Sequence, residues 1–332
     1  MNKARRLLVL VGLSCVIVNG ALLIVLAETS AASMSRTGIC QPSGVVVSGD
    51  HVWVTSMEEN SVTELNASNG SLVRVIDTKS DNLNYPTKIP TNDSDVWTAN
   101  LNSVTELNAS SGSLVRVIPV KLPGGGIDSA QALLVTKVHV WVVFGHSIFE
   151  LNASNGSLVR VIDAKAEGFK YPDALAISGS HLWVTNFGSN SVFELNASNG
   201  SLVRVIDAKD DGFEQPSEIA VSHNQVWVAG DNTVTELNAS NGSLVRVIDA
   251  TADALSPAAM FISGAYLWVA EGNAVTELNA SNGSLVRVID AKDDGFVGAD
   301  DIAVKRNHVW LTGGNAVTEL NTSNGSLVRV IK

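Results

Sequence analysis

The sequence predicts an all-β chain folded as a seven-bladed β-propeller, four antiparallel strands to a blade, and three observations carry that prediction. Tryptophan occurs seven times, at Trp53, Trp97, Trp141, Trp183, Trp227, Trp268 and Trp310, with spacings of 44, 44, 42, 44, 41 and 42 residues. Such a period, without the 3.6-residue apolar rhythm of helical repeats, belongs to propeller blades. Each unit also ends on nearly the same hairpin phrase, Asn-Ala-Ser-Asn-Gly or a close variant. Finally, Gly is abundant at 27 and Pro scarce at 8, which suits many tight turns between short strands.

The unit from Pro216 to Ala250 justifies each element in order. Ile219 to Ser222 reads as a short inner strand and Val226 to Ala229, with its Trp, as the second. Gly230-Asp231-Asn232 is a turn, and Thr233 to Leu237 is the third strand. Asn238 to Gly242 closes a hairpin, because Asn bonds the backbone that follows it and Gly accepts positive φ. Ser243 to Ile248 is the outer strand, and a longer loop leads to the next blade. One such sheet buries neither face alone; stacking blades in a ring buries both. Gln41-Pro42-Ser43 matches Gln215-Pro216-Ser217 and the chain ends inside a fourth strand at Ile331, so every blade is contiguous. Blade packing, not strand exchange, is expected to close the ring.

Glu and Arg recur ten residues apart in all seven units, from Glu64 and Arg74 to Glu319 and Arg329. A one-residue bulge after the hairpin would bring each pair together across the third and fourth strands. As exposed pairs they would contribute roughly 0.2–1 kcal/mol each to the scaffold.

Composition bounds the rest. Apolar residues at 45% against 17% charged allow a large core and exclude a disordered chain. A net charge of −11 opposes binding to nucleic acid or to an anionic membrane surface. Lys3, Arg5 and Arg6 precede an apolar run from Leu7 to Ala27 and then small residues, the pattern of a targeting segment. Residues 1–32 are therefore read as a signal peptide or membrane anchor, 33–37 as a linker and 38–332 as the propeller, outside the cytoplasm. Leu13 stands one position too near Cys15 for a lipoprotein signal. Cys40 is then the only cysteine of the mature part, so no internal disulfide is expected.

The stretch Trp183-Val184-Thr185-Asn186, through Asn190-Ser191-Val192 to Val205-Ile206, resembles the YVTN-type β-propeller repeat and, in look, NHL repeats. The resemblance covers residues 38–332 and implies an extracytoplasmic scaffold for recognition. The fold also looks like that of the streptogramin lyases, which resemblance implies a metal-assisted His and Glu opening a lactone. Against a lyase-like site, five of the six histidines, His51, His139, His181, His223 and His308, sit beside the Trp strand of different blades and read as one structural slot. Only His146 departs, and catalysis of that kind needs several convergent groups.

Other chemistry leaves few traces. Phosphate loops, serine elbows, paired cysteines and spaced histidine clusters are missing. Asp-Asp-Gly-Phe at Asp210 and at Asp293 lacks the later ligands of a calcium loop. Sequons such as Asn66-Ala67-Ser68 are explained by turn chemistry.

Variation among the seven units concentrates in the loops that lead into each new blade, and these share one face with the turns after the Trp strand. Just before the inner strands, the equivalent positions are Gly44, Lys88, Ala132, Ala174, Glu218, Ala259 and Asp301. The candidate ligand-binding set is thus Lys88, Glu218 and Asp301 with loop aromatics Tyr85, Tyr171, Phe213 and Phe296. The functional expectation is a monomeric, non-enzymatic scaffold without a cofactor or metal, binding a protein, peptide or glycan through this face. A lyase-like enzyme and a purely structural cell-surface module are the alternatives.

Overall fold

Local turn chemistry starts each blade. In the first hairpin Asn66 Oδ1 accepts the Ser68 N–H at 2.9 Å, Asn69 Oδ1 accepts the Ser71 N–H at 2.9 Å, and Gly70 takes a φ of +71°. The same Asn bond recurs at Asn108, Asn152, Asn196, Asn238, Asn279 and Asn321. The register shifts between Glu64 and Leu65, and at the corresponding point of every blade, so Glu64 lies opposite Arg74. This is the bulge expected from the ten-residue spacing.

A computed structural model describes residues 15–18, 21–24, 38–77, 83–123, 125–163, 168–207, 214–249, 257–290 and 299–332. It divides into two units, Met1–Ser35 and Arg36–Lys332. In the first, Cys15–Val18 pairs antiparallel with Ala21–Ile24. No helix among the described residues is long and apolar enough to cross a membrane, and most of residues 1–32, read above as a signal peptide or anchor, lie outside the described residues.

The second unit is the propeller. Blade 1 comprises Pro42–Ser48, His51–Ser56, Ser61–Asn66 and Leu72–Asp77. Blade 5 comprises Glu218–Ser222, Gln225–Gly230, Thr233–Asn238 and Leu244–Asp249, and blade 7 ends on Leu327–Ile331. Strands run in sequence order within each sheet, as contiguity of the blades requires. Blade 2 differs at its inner edge. There Pro90 lacks an N–H to donate, and the inner strand shrinks to the bridges Lys88–Ala99 and Thr91–Val96.

All seven tryptophans are buried, and each fills the gap to the following blade. Trp53 packs with Val96 and Leu107 of blade 2, and Trp183 with Val226 and Val228 of blade 5. Trp310 of blade 7 packs with Val52, Val54 and Leu65 of blade 1, so side-chain packing closes the ring. Burying a Trp removes about 150–250 Å² from water, so these seven contacts contribute strongly to blade cohesion.

The Glu–Arg pairs are not the exposed pairs that alternation of strand faces suggests. The seven glutamates are only 0–3% exposed, because the next blade covers the face that carries them. Arg Nε meets Glu Oε2 at 2.5–2.7 Å in every blade. The same Arg reaches forward: Arg160 Nη2 donates to Ser198 O at 2.7 Å, and Arg329 Nη2 donates to Ser68 O at 3.3 Å across the closure. With Arg204, Arg246 and Arg287 making the same bond, the pairs of blades 3 to 7 are inter-blade clamps.

The histidine slot also needs correction, to four members. His51, His139 and His308 place Nδ1 on the Oε1 of Glu64, Glu150 and Glu319 at 2.6–2.7 Å, and His181 binds Glu194 likewise. His223 lies two residues earlier, in the turn before its Trp strand, with φ +55° and its ring on Ser222 Oγ. Gln225 occupies the slot in that blade.

Candidate functional site

Antiparallel blades put the start of each inner strand, the end of the Trp strand and the loop from the preceding blade at one end of the channel. The inner-strand register confirms the equivalence of the candidate positions: Gly44 pairs with Thr55, Lys88 with Ala99, Ala132 with Val143, Glu218 with Ala229, Ala259 with Ala270 and Asp301 with Thr312. Small residues, Gly44, Ala132, Ala174 and Ala259, fill four of the seven positions beside the three charged side chains.

Lys88, Glu218 and Asp301 are brought together electrostatically, and a fourth group joins them. Asp173, from blade 4, stands one position before the register-equivalent Ala174. The strand there is bulged, its register shifting between Pro172 and Leu175, and a bulge re-aims a side chain that regular alternation would turn away. Comparison of equivalent positions missed Asp173 for that reason; the signal available was its acidic type immediately after the strand-opening Pro172.

All four groups are half-buried. Burial would push the Lys88 ammonium down, but the summed pull of Glu218, Asp301 and Asp173 carries it above its ordinary value. Burial pushes Glu218 up to about 7; Lys88 counters this, while Asp301 and Asp173 add to it. Asp301 is raised by burial against the pull of Lys88 and of two backbone donors, Val45 N and Ile302 N, each 2.9 Å from its carboxylate. Asp173 is raised by burial and drawn down by Lys88. Among the described residues, none of the three carboxylates forms an ion pair within 4.0 Å of Lys88. Three carboxylates stand against one ammonium, each of them acting on the Lys88 charge.

The aromatic residues flank this set. Tyr85 and Tyr171 are 42% and 63% exposed, three residues before Lys88 and two before Asp173 respectively. Both have left-handed backbone, φ +57° and +64°, a conformation that costs a bulky residue about 1–3 kcal/mol. Their N–H groups are latched by the turn of the preceding blade: Tyr85 N to Asn60 Oδ1 at 2.7 Å, Tyr171 N to His146 Nδ1 at 3.4 Å. Gln41 and Gln215 are held the same way by Asn315 and Asn190. His146 thus occupies the slot that Asn fills in other blades, and its ring lies 4.6 Å from that of Tyr171. Phe213 and Phe296 fall outside the described residues. Among the described residues, no three His, Cys, Asp or Glu side chains are grouped so as to hold a metal ion.

Comparison with known proteins gives the fold. No family model matches the chain, and no curated protein matches its sequence. Among solved structures, a streptogramin B lyase matches with a TM-score of 0.70 at 17% identity, over 85% of this chain and 93% of that one. The virginiamycin B lyase from Staphylococcus aureus matches at 0.68 and 16%, over 85% and 94%. U3-55K matches at 0.70 and 10%, over 83% and 89%. At these identities the likeness is one of architecture, a seven-bladed propeller, and shows the fold alone.

Proposed function

We propose that this propeller is a non-enzymatic, extracytoplasmic recognition scaffold that takes a protein or peptide ligand at its loop face, with a cationic group of the ligand entering the channel mouth. The observation that carries this reading is the gathering of Lys88, Asp173, Glu218 and Asp301 from four blades around one opening. Three carboxylates outnumber one ammonium, so a lysine, arginine or amino terminus is favoured over an acidic glycan. Tyr85 and Tyr171 beside the opening supply exposed aromatic surface of the kind that anchors interfaces. The basic and apolar start of the chain supports an address outside the cytoplasm.

The test is calorimetric titration of the full chain with a peptide library that varies in charge, followed by thermal melting with the peptides selected. Basic peptides are expected to bind, and Glu218→Gln or Asp301→Asn to weaken them about tenfold or more, while Ser68→Ala in a hairpin turn leaves binding unchanged. Equal binding of acidic and basic peptides would contradict the proposal. A divalent-metal-dependent stabilisation abolished by His146→Ala would favour the lyase-like alternative instead.

A further inference from the structure

The seven blades act as internal controls for one another at the position two residues before each Trp. Five of them place a nitrogen donor on Oε1 of the buried glutamate: His51, His139, His181 and His308 through Nδ1, and Gln225 through Nε2 at 2.8 Å. In blade 6 the position is Tyr266, which is 41% exposed and makes no bond to Glu277. Glu277 is nonetheless 1% exposed, and only its Oε2 is engaged, by Arg287 Nε at 2.7 Å. Among the described residues nothing donates to Glu277 Oε1.

A cavity of about 350 Å³ opens at this spot, between blades 6 and 7 and away from the channel mouth. Tyr266, Trp268, Glu277 and Arg287 line it from blade 6, and Arg306 and Ser323 from blade 7. Its volume is at the small end of ligand pockets, ample for a five-membered ring. Glu277 lines the cleft, and a donor that reaches its free carboxylate oxygen from the cleft without displacing protein atoms gains a charge-assisted bond.

We propose that the cleft between blades 6 and 7 is a second binding site, specific for imidazole-bearing ligands, whose ring nitrogen pairs with Glu277 Oε1 as Nδ1 of the sister histidines pairs with Oε1 within their own blades. The ring would lie near Trp268, as His139 lies 6.1 Å from Trp141 in blade 3. A histidine side chain of a partner or a free imidazole compound meets the same chemistry.

The experiment is titration of the full-length protein with imidazole at pH 7.5, read by ligand-observed NMR and by thermal melting. Saturable binding in the millimolar range is expected, with a rise in melting temperature of about 1–3 °C near saturation. Tyr266→His, which supplies the missing imidazole from within the chain, should weaken binding at least tenfold while melting no lower than the parent. Tyr266→Phe should retain it, since the hydroxyl takes no part. Absence of saturable binding, or binding unchanged in Tyr266→His, would overturn the assignment. Because the channel residues are untouched, this outcome is independent of the loop-face reading.

Discussion

Glu106 faces a second carboxylate, Asp95, where four other blades present a histidine. Burial raises Glu106 to about 7, Arg116 pulls it down, and Asp95 pushes it up further. A carboxyl group raised in the folded state costs stability once it must ionise: nothing below the unfolded value of 4.5, progressively more as pH rises to about 7, and a constant amount above. Asp95→His removes the like charge and supplies the donor that the sister blades use. It is expected to stabilise the protein by about 1–2 kcal/mol at pH 8, with the gain vanishing by pH 4, as measured by urea denaturation. An unchanged midpoint at pH 8 would mean that the His–Glu–Arg sets contribute geometry and no stability.

At the scale of the element, the hairpin glycine has two duties. Gly70 sits at φ +71°, and a Cβ there would come within 2.7 Å of Arg329 Cδ, reaching across from blade 7. Gly70→Ala is therefore expected to cost about 1–3 kcal/mol, measurable as a lowered unfolding midpoint, from backbone strain and from displacement of the closing arginine. Gly49, in a turn with φ +58° and nothing within reach of its Cβ, supplies the comparison: Gly49→Ala carries the strain alone and should cost less. Elements were also what the sequence disclosed best. Turn chemistry and Trp spacing located nearly every strand, because both signals are local. Burial of the glutamates was not legible, since it depends on a neighbouring blade and not on the strand itself. The bulge at Pro172–Leu175 hid Asp173, and counting positions beside the Trp strand merged the turn residue His223 with the four that touch glutamate. Lys88, Glu218 and Asp301 could be found because comparison among the seven copies separates the exceptional residue from the repeated one.

The whole molecule carries a consistent electrostatic sign. Glu64, Glu106, Glu150, Asp173, Glu218, Glu277, Asp300, Asp301 and Glu319 are all raised, burial being the largest cause in each. Between the ordinary carboxylate range and about 7, where Glu106 and Glu218 titrate, the folded state holds more protons than the unfolded one, so stability falls as pH rises. Self-repulsion from a net charge of −11 acts in the same direction. The melting temperature is expected to be at least about 3 °C higher at pH 5 than at pH 8, and a maximum at pH 8 would show that the buried ion pairs outweigh their desolvation.

The central claim is that side chains from four blades, far apart in sequence, form one electrostatic unit at the channel mouth. It is tested most directly by following the Glu218 carboxyl carbon through a pH titration by NMR, in the parent chain and in Lys88→Met. The account predicts titration near 7 in the parent and a further rise when the lysine charge is removed. Titration in the ordinary glutamate range, unmoved by the loss of Lys88, would mean that these groups do not face one another and that no such site exists.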